Sequence, residues 1–138
     1  MKLKLIMLVS LFAFGLAFSA NAGAVADADG DLVPDGFDNC DARANGPGEG
    51  SNQVDSNQDG YGNACDTDYN QDGVTNSIDF PIFLNSFTGA TPTADTDNSG
   101  DGLTTTIDFP LFLSDFVNIG TAPGPSGLSC AGTIPCLP

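Results

Sequence analysis

Two stretches of the chain carry apolar residues at helical spacing, and each is a copy of the other. Phe80, Phe83, Leu84 and Phe87 fall at i, i+3, i+4 and i+7, as do Phe109, Phe112, Leu113 and Phe116, so each stretch predicts a short helix with one apolar face. Pro81 and Pro110 suit a first helical turn, where a missing N–H costs nothing, and Asp79 and Asp108 are placed to cap. Such helices run about three turns, too short to persist alone in water. They must pack, most simply on each other, and burying all eight anchors would contribute at most ~12–24 kcal/mol.

Sliding the chain against itself by 29 residues aligns residues 66–87 with 95–116, and 13 of the 22 positions are identical. Each copy opens with an acidic loop. In residues 68–79, Asp68, Asn70, Asp72, Asn76 and Asp79 stand at positions 1, 3, 5, 9 and 12, with Gly73 at 6 and the Val74 carbonyl at 7. An EF-hand loop presents oxygen ligands to calcium at this spacing, and its glycine makes the sharp turn. Alternating oxygens on a tight turn converge on one point, as a hard cation with six to eight ligands requires. Residues 97–108 repeat the pattern with Asp97, Ser99, Asp101, Gly102, the carbonyl of Leu103, Thr105 and Asp108. Both loops end in Asp, one methylene shorter than the Glu usual there. Plain Asx turns would also use these residue types, but they do not explain two copies in one register, each followed by the same helix.

The spacing recurs upstream without a following helix. Asp55, Asn57, Asp59, Gly60, the Tyr61 carbonyl, Asn63 and Asp66 fill one loop; Asp27, Asp29, Asp31, the Val33 carbonyl, Asp35 and Asp38 fill another, in which Leu32 replaces the turn glycine. Asp66 closes one loop and Asp68 opens the next, so either two ions sit close together there or the two sites compete. Two to four calcium ions are expected in all.

Charge and composition narrow the field. The 138 residues hold 18 acids, 3 bases and no His or Trp. Met1 to Ala22 reads as a secretory signal peptide: Lys2 and Lys4, an apolar run from Leu5 to Phe18, then Ala20-Asn21-Ala22. The run is shorter than the ~20 residues a spanning helix needs, so no membrane insertion is expected after cleavage. Removing it leaves Arg43 as the sole base, which excludes nucleic acid as a partner. With no His, no remaining Lys and the carboxylates engaged as ligands, catalysis is not expected. Cys40, Cys65, Cys130 and Cys136 are even in number and exported, which favours disulfides. Three pairings exist; proximity favours Cys40 with Cys65 and Cys130 with Cys136. The Asn45 to Ser51 stretch, NGPGEGS, reads as a flexible insertion and VNIGTAPGPSG as a Gly/Pro linker before a Cys-containing tail.

These residues carry two family resemblances. Residues 68–116, two loops ending in Asp and each followed by a short helix, resemble a type I dockerin domain, which implies a pair of calcium-bound loop-helix repeats docking onto a cohesin module in a polysaccharide-degrading assembly. Dockerins favour small hydroxyl residues at loop positions 10 and 11 and basic residues on the helix; here Ser77 and Thr106 stand at 10, Ile78 and Ile107 depart from the pattern at 11, and neither helix segment holds Lys or Arg. Residues 27–66 resemble a thrombospondin type 3 repeat, through DADGD, PDGFDNC and DSNQDGYGNACD. That likeness implies a calcium-stapled, disulfide-linked segment with almost no core.

The expected organisation is therefore a signal peptide over 1–22, a thrombospondin type 3-like repeat over 23–66, a dockerin-like domain over 67–120 and a linker and tail over 121–138. The fold class is small, mostly irregular and α, with calcium-stapled loops and two short packed helices. The expected function is a secreted, non-catalytic calcium-binding module, extracellular, surface-bound or periplasmic, that folds with the ion and docks a cohesin-like or other extracellular protein. The alternative is a calcium-stiffened structural or adhesive spacer.

Overall fold

Helix forms where the apolar spacing and the proline placement agree. The computed structural model describes residues 25–117 and 120–137, so the signal peptide expected over 1–22 lies outside the described residues. Helix α1 spans Asp79–Phe87 and helix α2 spans Asp108–Phe116. A single 3-10 turn, Asp35–Phe37, is the only other helical element among the described residues, which contain no strand. None of their helices is long and apolar enough to cross a membrane.

The helices start differently from the expectation. Asp79 and Asp108 are first helical residues, not caps; Ile78 and Ile107 precede them, and neither helix has a side-chain cap bond. The two carboxylates turn back into their loops instead, and Pro81 and Pro110 reduce the number of free N–H groups left to satisfy.

Packing follows the internal repeat. Phe83 and Phe112, equivalent residues of the two copies, stack on each other at 4.5 Å between ring centroids. Around them Phe80–Phe112 at 5.9 Å mirrors Phe83–Phe109 at 6.1 Å, and Phe80–Phe116 at 6.1 Å mirrors Phe87–Phe109 at 6.3 Å. Exchanging the copies thus reproduces the contacts, as a near-twofold axis through the central ring pair would. Tyr69 completes the core, 6.3 Å from Phe83 and 6.0 Å from Phe112.

Of the eight apolar anchors only Phe83 and Phe112 are fully buried. Phe80, Leu84, Phe87, Phe109 and Leu113 stay 37–44% exposed. Two nine-residue helices, each packed on the other, cannot enclose a whole face, and among the described residues no other segment covers the remainder.

The acidic N-terminal segment has its own small cluster, Cys40, Ala64 and Cys65. Disulfides join Cys40 to Cys65 and Cys130 to Cys136, the pairing that proximity favours. The 45–51 stretch is not a free insertion. Asn45 and Ser51 are buried, the Asn45 N–H donates to Asp31 Oδ2 at 2.9 Å, and the Gln53 N–H closes on the Asn45 carbonyl at 2.7 Å. Nor does the Gly/Pro segment lead away from the body. Gly124 N donates to the Cys65 carbonyl, Gly127 N to Asp38, Gly132 N to Asp59 and Cys136 N to Gln58, so the tail straps loop 55–66.

Arg43 ties the N-terminal segment to α2. Its guanidinium takes both carboxylate oxygens of Asp115, at 2.8 and 2.5 Å, and also donates to Ser114 and to the Ala64 carbonyl. This two-point geometry is the strong form of an Arg–carboxylate pair.

Candidate metal loops

Position by position, the four acidic loops share one backbone. Position 4 has a positive φ throughout: Gly30 80°, Gln58 63°, Gln71 60° and Gly100 74°. Position 6 does too: Leu32 79°, Gly60 89°, Gly73 87° and Gly102 93°. Leu32 therefore adopts the turn that glycine makes elsewhere. In every loop the carboxylate at position 1 accepts the N–H of position 6: Asp27 from Leu32 at 3.2 Å, Asp55 from Gly60 at 2.8 Å, Asp68 from Gly73 at 2.7 Å and Asp97 from Gly102 at 2.8 Å. The carboxylate at position 5 accepts the N–H of position 7 in the same way: Asp31 from Val33, Asp59 from Tyr61, Asp72 from Val74 and Asp101 from Leu103, at 2.8–3.1 Å.

Position 12 divides the loops into two classes. Where a helix follows, its carboxylate spans the loop: Asp79 accepts from Asn70 N at 3.2 Å and Asn76 N at 2.7 Å, and Asp108 accepts from Ser99 N at 2.8 Å and Thr105 N at 2.6 Å. Where none follows, it accepts from the residue two further on: Asp38 from Cys40 N and Asp66 from Asp68 N, both at 2.8 Å. Position 9 then reaches back to the N–H of position 2, Asp35 to Ala28 at 2.7 Å and Asn63 to Ser56 at 2.9 Å. Asn63 also donates to Ser56 Oγ and the Ala94 carbonyl, and Asp38 also accepts from Gln53 Nε2 at 2.7 Å.

Convergence of the carboxylates differs from loop to loop and does not follow these two classes. In loop 97–108, Asp97, Asp101 and Asp108 each bring an oxygen within 4.8 Å of the others, and Asp27, Asp29 and Asp31 do the same in loop 27–38. Ligands on opposite sides of a calcium ion, each about 2.3–2.6 Å from it, lie about 5 Å apart, so the spacing suits that ion. In loop 68–79 the side-chain amides of Asn70 and Asn76 donate to Asp72 Oδ2 at 3.0 and 3.4 Å, and in loop 55–66 Asn57 donates to Asp66 Oδ2 at 3.1 Å. These amides take up carboxylate charge that a cation would otherwise meet. Ser99 Oγ donates to Asp97 Oδ1 at 3.3 Å, and Thr105 Oγ1 accepts from Ile107 N at 3.2 Å.

Burial opposes the ionised form in several of these groups. Asp66 is held well above the ordinary carboxylate range, chiefly by desolvation and then by the Asp59 charge. Desolvation also raises Asp29, Asp59 and Asp79, each with neighbouring Asp charges adding to it. Asp29 Oδ2 and Asp41 Oδ1 are buried and carry no hydrogen bond. An all-oxygen donor set, three carboxylates at cation spacing and an orphaned oxygen in the same loop fit a hard divalent ion, which would offset the desolvation cost.

Several supporting residues had no functional reading in the sequence. Gln53 bridges the N-terminal segment, accepting from Asn39 N at 2.9 Å and donating to Asp38. Gln58 and Gln71 occupy the position-4 turn, and their shared register with Gly30 and Gly100 was the available signal. Asn98 and Tyr69, both at position 2, meet in the interior at 2.9 Å.

Comparison with curated proteins yields no match, and comparison with solved structures yields none. The model of the thrombospondin type 3 repeat, a calcium-binding extracellular repeat, matches residues 26–46 and 54–80, about a third of the chain, which hold loops 27–38, 55–66 and 68–79.

Proposed function

We propose that this chain is a secreted, non-catalytic module that folds around calcium and then docks a protein partner. The observation that carries the calcium reading is the shared backbone of the four loops: the same two positive-φ turns and the same clamp from position 1 to position 6 recur at 27–38, 55–66, 68–79 and 97–108. Calcium binds the assembled loops and not the open chain, so binding free energy becomes folding free energy. Each ion also removes two charges from a chain with 18 acids and 3 bases, easing the repulsion that opposes compaction. Extracellular calcium fills even weak sites of this type, which makes the module constitutively ordered.

Docking rests on the outer surface of the helix pair. Ile78, Leu84, Ile107 and Leu113 are 40–58% exposed. The only acids of α1 and α2 are Asp79 and Asp108, which are buried, and Asp115, which Arg43 holds. An apolar face free of unpaired charge favours a protein partner over a polar ligand. A dockerin-like role, with a cohesin-like partner in a polysaccharide-degrading or surface assembly, is the specific form we favour. The spacer reading draws on the Arg43–Asp115 tie and on the tail strap, which join all the described parts into one body.

Calorimetric titration of the calcium-free processed chain tests the first part. Uptake of two to four ions with a gain of helical circular dichroism is expected; no uptake sinks the reading. A pull-down from secreted proteins, with and without chelator, tests the second. A stoichiometric calcium-dependent partner supports docking, and its absence with calcium uptake intact leaves the spacer.

A further inference from the structure

The interior between the loops is joined at one buried side chain. Asn98 is 2% exposed and sits at position 2 of loop 97–108, between the expected ligands Asp97 and Ser99. Its Nδ2 donates to the Asn63 carbonyl at 2.7 Å and to the Asp66 carbonyl at 3.2 Å. Those two residues occupy positions 9 and 12 of loop 55–66. Its Oδ1 accepts from the Tyr69 hydroxyl at 2.9 Å, at position 2 of loop 68–79. One amide thus holds the closing half of one loop and the opening of two others, with every hydrogen bond made away from solvent. Asn63 returns the connection by donating to the Ala94 carbonyl at 2.8 Å, just ahead of loop 97–108.

Other links between loops run elsewhere. Thr75, at position 8 of loop 68–79, exchanges backbone hydrogen bonds with residues 120 and 121 at 2.8 Å. Phe83 and Phe112 join the two helix-bearing copies. Asp66 joins loop 55–66 to its sequence neighbour through the Asp68 N–H. Loop 55–66 has no helix of its own to order its last positions. Asn98 supplies that support from a loop more than thirty residues away.

We propose that Asn98 is the positioning residue through which a cation in loop 97–108 raises the calcium affinity of loop 55–66. The inference rests on the calcium reading of the loops given above. A cation gathering Asp97, Asp101 and Asp108 fixes the backbone on both sides of Asn98. The fixed amide then holds the carbonyls of Asn63 and Asp66, and the loop they close is ordered before its own ion arrives. Binding there no longer includes the ordering cost, which is positive coupling between two sites.

The chain has two tyrosines and no tryptophan, so Tyr69→Phe leaves Tyr61, at position 7 of loop 55–66, as the sole tyrosine emitter; it gives up the bond to Asn98 Oδ1 and keeps the two Nδ2 bonds that reach loop 55–66. This full processed variant is titrated with calcium chloride while Tyr61 emission is followed. Adding Asp101→Ala, which weakens only the remote loop, is expected to move the Tyr61 midpoint to about fivefold higher calcium. Adding Asn98→Ala alone is expected to move it similarly, and Asp101→Ala on top of Asn98→Ala to move it no further. A residue that only supports the fold would leave the two shifts additive. An unmoved midpoint with Asp101→Ala, or the same further shift with and without Asn98, overturns the coupling. Should Asn98→Ala fail to fold, the Asp101→Ala arm decides alone. A Tyr61 signal indifferent to calcium, in a chain that calorimetry shows to bind it, also overturns the inference. If calorimetry on the unaltered chain finds no uptake, the calcium reading itself fails.

Discussion

Leu32 offers a clean test of the claim that loop 27–38 has the same backbone as the others. It holds φ at 79° while its side chain is 81% exposed, so it bears the strain of a left-handed residue and gains little from burial. A non-glycine residue there costs about 1–2 kcal/mol, and replacing it by glycine returns roughly 0.5–1 kcal/mol of that as extra entropy of the unfolded chain. Leu32→Gly should therefore stabilise the calcium-loaded protein by about 0.5–1 kcal/mol. The reciprocal change is Gly73→Leu. Gly73 stands at the same loop position with φ 87°, and an added Cβ meets nothing within 4 Å, so the substitution isolates the backbone cost. It should destabilise by about 1 kcal/mol or somewhat less, of opposite sign to the first. Urea unfolding in saturating calcium measures both, as opposite shifts of midpoint at unchanged slope. If Leu32→Gly is neutral or destabilising while Gly73→Leu is costly, loop 27–38 does not make this turn in solution.

Other predictions follow from the loops and their supports. Asp72→Ala with Asp101→Ala should abolish helical circular dichroism as chelation does; a surviving signal in both cases would refute metal-coupled folding. In the calcium-free chain the buried acids Asp59, Asp66 and Asp79 have raised values, so their contribution to stability is complete below the ordinary value of 3.8 and is lost as pH rises through the higher folded values. Acidification towards pH 4 should therefore restore part of the helical circular dichroism that chelation removes, while lowering calcium affinity because the ligands must be ionised; the helical signal followed from pH 7 to pH 4 should rise with chelator and fall at limiting calcium. Arg43→Ala should cost about 1–2 kcal/mol in urea unfolding, since the pair with Asp115 is largely shielded and two-pronged, and Arg43→Lys should recover only part of it. Truncation after Gly120 removes the donors to Gln58, Asp59 and Gly60, and should weaken calcium binding at loop 55–66 with little effect on helical content.

The parts of the structure that sequence made legible are those with a local period. Helical spacing and first-turn prolines located α1 and α2, and the loop register located all four turns, because both patterns are written in neighbouring residues. What escaped depends on distant backbone groups. Nothing in VNIGTAPGPSG announces that Gly124 and Gly127 will donate to the Cys65 and Asp38 carbonyls, and nothing in NGPGEGS announces the bond from Asn45 to Asp31. The placement of Asp79 as a loop closer and not a cap was hidden for another reason: both roles ask for a carboxylate at the same point. The two classes of loop were partly visible, since an apolar helix follows only the second pair, but which N–H the last carboxylate would take was not.

The stacked pair Phe83 and Phe112 has a consequence for dissection of the molecule. Because these two fully buried rings stack on each other and share Tyr69, a fragment cut between the copies would expose half of a common nucleus. The duplication is thus indivisible in use: a chain severed between the copies should leave halves that regain order only on re-association.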